Sequence, residues 1–370
     1  MSPIPAAASV SAQAWSGLEI VDESSVFIDV TIAGKRRTAL LDTGAAATVL
    51  DLKLARELQL AEVGQRTLRG YSDVGAFNEL SGFTAEVGGA PVAFSRAVST
   101  DLAVISSSLG RPTDLIVGHD LFLGRLVELD LPGGRWRLSP RSGGEAPSGT
   151  PLDLRFGPHF EPLITVRVEN RASAPAILDI GASAALTLSR GFADANDLLK
   201  AKRTSTAAFA GVNGVTLSTS VMMASLEIAG QTLTSMPAEV VDQWLTPEIP
   251  VIVGLAVLRR FKITFDFEGG RVWFALSRKE VAKPFREDHS GLGVAFLTDR
   301  LVVKHVAARS PASTEGWKEG DEIVAVDGVP VSRVYADARL RAWRERSPGS
   351  SVTLTLASGA KRRIVLADYY

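Results

Sequence analysis

Two stretches of this chain end an apolar run on a carboxylate followed by small residues. The first is Leu40-Leu41-Asp42-Thr43-Gly44-Ala45, the second Ile177-Leu178-Asp179-Ile180-Gly181-Ala182. A single Asp-x-Gly after a strand is an ordinary turn signal. Two copies offer more. Two carboxylates in contact cannot both ionise cheaply, so they share one proton. One is then a base able to activate water, the other an acid able to protonate a carbonyl or a leaving nitrogen, both at one pH. The glycine after each Asp lets backbone approach closely.

The surroundings of the two stretches repeat in register. Asp42 returns as Asp179, Ile116-Val117-Gly118 as Ile252-Val253-Gly254, and Arg135 of a glycine-turn hairpin as Arg271, with the same offset to within one position each time. Landmarks in register mean an internal duplication, here of a β-rich unit.

Other chemistries are poorly served. There is no cysteine, which excludes thiolate catalysis, disulfides and cysteine metal sites. The four histidines (His119, His159, His289, His305) are scattered. Gly181-Ala182-Ser183-Ala184-Ala185 lacks the second glycine of a nucleophile elbow. No acidic cluster stands near the two aspartates to build a Mg²⁺ site, and no metal or other cofactor is expected. A net charge of −1 gives no reason to expect nucleic acid, and no apolar run reaches the ~20 residues of a membrane-spanning helix. Residues 1–14 are rich in Ala, Ser and Pro and end Ala12-Gln13-Ala14, which fits the site at the end of a secretory signal, although its basic and apolar parts are missing. The expectation is a periplasmic or secreted protein.

The elements that must carry the aspartates are β. Val26, Ile28, Val30 and Ile32 alternate, Gly34-Lys35-Arg36-Arg37 turns, and residues 38–41 return to deliver Asp42. Residues 48–60 read as a short helical or looped segment, and 67–79 as a hairpin with two glycines. After a Gly/Ser/Pro linker the pattern restarts: 163–168 alternate, 176–178 deliver Asp179, and 209–214 form a second glycine-containing hairpin. The last segment has no copy elsewhere. It holds Ser290-Gly291-Leu292-Gly293-Val294, then Gly320-Asp321-Glu322-Ile323-Val324-Ala325-Val326-Asp327-Gly328, helical spacing over 335–346 and a strand at 351–356.

On these motifs the chain from about Ile20 to Arg278 resembles the retropepsin-like aspartic proteases. The resemblance rests on Asp42-Thr43-Gly44-Ala45 with Ile116-Val117-Gly118, and on their second copies. It implies a mainly all-β chain: two closed β lobes in one polypeptide, forming a bilobal aspartic protease. Asp42 and Asp179 would share a catalytic water, supported by Thr43, Gly44 and Ala45 and by Ile180, Gly181 and Ala182. Gly70, Tyr71 and Ser72 would form a flap over substrate, with Tyr71 either a flap aromatic or a solvent-exposed turn tyrosine. In this family the residue after the catalytic Asp is usually Thr or Ser, whose hydroxyl bonds across to the other lobe. Thr43 keeps that group and Ile180 does not.

Residues 288–370 resemble a PDZ domain of the bacterial type. That implies a small α+β unit whose loop at Gly291, Leu292, Gly293 and Val294 receives a peptide C-terminus or an adaptor, with the peptide lying against the 335–346 helix. The expected order is a signal-peptide remnant or a disordered leader (1–14), lobe 1 (15–141), a linker (142–150), lobe 2 (151–278), a linker (279–287) and the PDZ domain (288–370). The function implied is an endopeptidase acting on protein or peptide substrates, with the PDZ domain raising their local concentration. The alternative is a peptide-binding scaffold with an impaired catalytic centre, for which Ile180 is the argument.

Overall fold

The computed structural model describes residues 13–21, 23–69, 74–109, 111–211, 214–332 and 341–370. Most of the Ala12-Gln13-Ala14 leader, the 70–73 tip of the first hairpin, and 333–340 of the expected helix lie outside them.

Lobe 1 contains β1 (Ser16–Gly17), β2 (Glu19–Val21), β3 (Ser25–Ile32), β4 (Lys35–Leu41), β5 (Val49–Asp51), α1 (Leu52–Glu57), β6 (Glu62–Arg69), β7 (Val74–Val87), β8 (Ala90–Thr100), α2 (Ala103–Leu109), β9 (Leu115–Val117), β10 (Leu126–Asp130) and β11 (Arg135–Ser139). Lobe 2 continues with β12 (Thr150–Asp153), β13 (Arg155–Phe156), β14 (Pro162–Val168), β15 (Ala172–Asp179), β16 (Leu186–Ser189), α3 (Arg190–Ala195), β17 (Thr204–Gly211), β18 (Gly214–Ile228), β19 (Gln231–Val241), β20 (Val251–Gly254), α4 (Leu255–Leu258), β21 (Phe261–Asp266) and β22 (Arg271–Leu276).

The duplication is visible in the strand order. One sheet runs β2-β3-β4-β9-β5-β8-β7-β6, the other β13-β14-β15-β20-β16-β19-β18-β17. Each curls until its second strand meets the long hairpin strand, β3 with β7 and β14 with β18. The strands delivering the aspartates are central and parallel to the apolar-Gly strands. Leu41 pairs with Val117, and Leu178 with Val253. Leu115, Ile116 and Val117 are all buried. A strand covered on both faces reads as a continuous apolar run, whereas the half-covered β14 alternates.

A third sheet joins the lobes in the order β1-β11-β10-β21-β22-β12. The two closing hairpins meet there, with Val127 opposite Phe265 and Leu129 opposite Ile263. All four side chains belong to one apolar core that continues through both lobes. Buried Glu128 accepts hydrogen bonds from Arg137 Nε (2.7 Å) and Ser139 Oγ (2.8 Å), and Lys262 Nζ of lobe 2 lies 3.1 Å away. The Trp15 ring lies against the cations of Arg135, Arg137 and Lys262.

Past lobe 2, α5 (Arg278–Val281) and the residues after it form a strap. Phe285 is buried in the protease core under the Arg260 guanidinium, whose Nη1 donates to the carbonyls of Glu280, Val281 and Lys283. The last unit has β23 (Leu292–Leu297), β24 (Arg300–Val306), α6 (Pro311–Thr314), β25 (Glu322–Val326), β26 (Val329–Pro330), β27 (Ser351–Leu356) and β28 (Lys361–Val365). Its core, around Trp317 and Trp343, is separate. Within the span 335–346, the described end is a 3-10 turn at Ala342–Glu345.

Candidate active site

Each aspartate sits where a central strand ends. Asp42 N–H still donates to the Val117 carbonyl (3.0 Å), and Asp179 stands in register with Gly254. The chain then turns back over its own carboxylate. Gly44 and Ala45 N–H donate to Asp42 Oδ1 at 2.8 and 3.0 Å. Gly181 and Ala182 N–H donate to Asp179 Oδ1 at 2.8 and 3.1 Å. The apolar-Gly strands run beneath these turns. His119 N–H donates to the Ala45 carbonyl (2.9 Å) and Leu255 N–H to the Ala182 carbonyl (2.7 Å). A Cβ on Gly118 would stand 2.6 Å from the Ala45 carbonyl oxygen, and one on Gly254 2.1 Å from that of Ala184. Only glycine permits that approach.

The two turns face each other closely. A Cβ on Gly44 would lie 2.7 Å from Asp179 Oδ2, and one on Gly181 2.4 Å from Asp42 Cγ. The two carboxyl groups are within hydrogen-bonding reach of each other. Burial raises both pKa values, because it penalises the charged form. For Asp42 the bonds from Asp179, Gly44 and Ala45 oppose that rise. For Asp179 the neighbouring Asp42 charge adds to it, and its carboxyl is held well above the ordinary carboxylate range. The pair therefore keeps one proton where isolated carboxylates would have lost theirs.

The residues after the aspartates break the symmetry. Thr43 Oγ1 donates to the Leu178 carbonyl (2.6 Å) and accepts from Ile180 N–H (2.9 Å). One hydroxyl thus bridges both sides of Asp179. Ile180 returns no such bond and is fully buried in the common core.

Apolar walls adjoin the pair. Ala45 packs with Phe27, Leu40, Val49 and Ile116, joined by Ile105 and Leu109 of α2. Ala182 packs with Leu163, Ile177, Ile249 and Ile252, joined by Trp244. Trp244 Nε1 donates to the carbonyls of Thr246 and Ile249, both at 3.0 Å. Sequence reasoning missed Ile105, Leu109 and Trp244. They sit outside the repeated motifs, and the walls form only when distant segments pack.

Gly70, Tyr71 and Ser72 lie outside the described residues. In the last unit Gly291 has φ +77° and Leu292 starts β23. Ser290 and Gly291 N–H donate to the Asp288 carboxylate (3.1 and 2.8 Å), Leu292 N–H to Ser290 Oγ (3.1 Å), and Tyr369 OH to Asp288 Oδ2 (2.8 Å). The amides of 290–292 are thus already satisfied: those of Ser290 and Gly291 by Asp288, which the sequence reading did not single out, and that of Leu292 by the Ser290 hydroxyl. Gly293 pairs with His305, and the ladder bulges between Gly293 and Val294. Among the described residues, Glu287, His289 and Asp368 place ligand-type atoms within 4.8 Å of one another, with His289 Nδ1 3.1 Å from Asp368 Oδ1. This group lies outside the two aspartate loops.

Comparison with known families agrees with the repeat. An aspartyl protease family model matches residues 28–121 and again 164–257, together half of the chain, and a PDZ domain model matches 290–365. No curated protein matches the chain. The two matched segments contain the two Asp-x-Gly turns and their apolar-Gly strands, so the chain belongs to the aspartyl protease family, as two tandem units followed by a PDZ domain.

Proposed function

We propose that the chain is an aspartic endopeptidase in which Asp42 and Asp179 activate a shared water for attack on a peptide carbonyl. The observation that carries this reading is the contact of two carboxyl groups, each in its own two-amide cradle and both with raised pKa values. Asp42, with more bonds favouring its charged form, is the base. Asp179, held protonated, donates to the carbonyl oxygen. The proton taken from water by Asp42 then goes to the leaving nitrogen. The walls around Ala45 and Ala182 suit apolar side chains on either side of the cleaved bond.

The PDZ domain would bind peptide; a C-terminal tail of the substrate, or an adaptor, fits that reading. A peptide carboxylate reaching Gly291 N–H competes with Asp288. Ala12-Gln13-Ala14 supports an exported, periplasmic or secreted enzyme. The second reading, a scaffold that binds without cutting, draws on Ile180. The Thr43 hydroxyl that bridges Leu178 and Ile180 weighs against it.

The test is Asp42→Asn and Asp179→Asn, made separately. Each is expected to abolish hydrolysis of an unfolded protein substrate and of short peptides while the thermal unfolding transition persists. Near-normal turnover by either folded variant sinks the two-carboxylate mechanism.

A further inference from the structure

The two long hairpins are equivalent by duplication, yet their surroundings differ. Of the side chains described on β6, nearly all are exposed, Val63 by 63%. Its copy β17 is covered by the PDZ domain. Ser205 Oγ donates to the Ala308 carbonyl at 2.5 Å. Ala308 N–H donates to Thr206 Oγ1 at 3.1 Å, and that hydroxyl is hydrogen-bonded to His305 Nε2 at 2.9 Å. The Arg309 guanidinium donates to the Thr204 carbonyl. Three successive residues of one strand are held by one turn.

That turn is firmly built. Arg309 takes a left-handed φ of +58°, which a non-glycine residue keeps only when its surroundings impose it. Ala307 N–H donates to the Gly291 carbonyl (2.8 Å), Ser310 Oγ to the Ala307 carbonyl (2.7 Å), and Ala312 N–H to the Ser290 carbonyl (2.9 Å). β17 also touches α2 of lobe 1. The same helix touches β23, and its Leu109 carbonyl accepts from Arg341 Nη1 at 3.2 Å. Ile105 and Leu109 of that helix belong to the wall beside Ala45. PDZ turn, lobe-2 hairpin and one cleft wall form a single packed unit.

We propose that the PDZ domain fixes the lobe-2 hairpin as the rigid side of the cleft, with Ser205, Thr206, His305 and Arg309 as positioning residues for cleavage. The proposal rests on the aspartic-endopeptidase reading and differs from a tethered docking module in one respect. A docking module affects only substrates with a tail to bind. A hairpin seat affects every substrate, because misplaced contacts around the reacting bond cost turnover.

The experiment uses the full chain, a short apolar peptide with an amidated C-terminus, and hydrogen exchange followed at β6–β7 and β17–β18. Ser205→Ala with Thr206→Val removes both hydroxyls at nearly constant volume. The expected result is a roughly 10-fold loss of kcat/KM carried by kcat, as follows when part of the loss of three hydrogen bonds reaches the reacting bond. Exchange at β17–β18 should be about 10-fold faster, with β6–β7 unchanged. Thr206→Ser should retain native behaviour in both measurements. Should the double variant fail to fold, the milder Arg309→Gln and Thr206→Val are read the same way, with smaller effects in the same direction. Native turnover of the amidated peptide by the folded double variant overturns the proposal, and so does unchanged exchange at β17–β18. If the native chain itself cuts no peptide, the endopeptidase reading fails, and exchange alone decides the seat: faster exchange in the variant supports it, unchanged exchange refutes it.

Discussion

Thr43→Val tests how the two aspartate loops are held together. The substitution keeps shape and removes one hydroxyl. That hydroxyl makes two buried hydrogen bonds across the lobe seam, to the Leu178 carbonyl at 2.6 Å and from Ile180 N–H at 2.9 Å. Both partners would be left unsatisfied, at about 1–3 kcal/mol each. Some relaxation is available, so about 2–4 kcal/mol is a fair total. A symmetric pair of loops would share the load through a second hydroxyl. Here Ile180 has none, so the whole loss falls on the Asp179 loop. If it acts entirely on alignment of the two carboxylates, kcat/KM for a short peptide should fall by about 30- to 1000-fold. The assay is steady-state hydrolysis beside thermal unfolding, which separates misalignment from unfolding. The mirrored variant, Thr43→Val with Ile180→Thr, moves the hydroxyl to the other lobe and should recover much of the loss, because the two loops are related by the duplication. A folded Thr43→Val variant within two-fold of native turnover would refute the reasoning.

The remaining predictions follow from charge and space. Raised pKa values at Asp42 and Asp179 mean that activity survives above the ordinary carboxylate range and is lost as pH rises through the higher of the two, so a pH–rate profile should peak in weak rather than strong acid. A raised folded-state pKa also contributes stability that is full below the unfolded value and lost as pH rises through the folded one; Asp179→Asn, which cannot ionise, should therefore gain in melting temperature relative to native protein as pH increases. Glu128 is pushed up by burial but pulled down further by Arg137, Ser139 and Lys262, for a net lowered pKa. Its contribution is present above the unfolded value and lost as pH falls through the folded one, so Glu128→Gln should cost about 3 kcal/mol in denaturant unfolding at neutral pH, with the difference fading in acid. Gly181→Ala places a methyl 2.4 Å from Asp42 Cγ and should cut kcat/KM at least about 100-fold, whereas Gly191→Ala, with nothing within 4 Å, should be silent in the same assay.

Much of this protein was legible along the chain because its signals are local. An apolar strand ending in Asp-x-Gly, an apolar-apolar-Gly segment and a glycine-turned hairpin are each set by residues a few positions apart. Their return at a shared offset, Asp42 to Asp179 and Gly118 to Gly254, disclosed two copies of one unit. Even the broken symmetry was readable, since Thr43 and Ile180 differ in the one group that can bond across a seam. Tertiary structure decided what distant segments do to one another. That Asp42 and Asp179 face each other depends on two turns, far apart in sequence, meeting so closely that a Cβ on Gly44 or Gly181 would strike the opposite carboxyl. The sheet joining the lobes needed β10 to find β21, and Glu128 gained the Lys262 ammonium only there. Nothing local marked Asp288 as the acceptor for the Gly291 amide, or β17 as the strand the PDZ turn would seize while the described side chains of its twin β6 stayed mostly exposed. Such pairings carry no periodic signature: they follow from complementary surfaces and unsatisfied polar groups that exist only after each unit has folded.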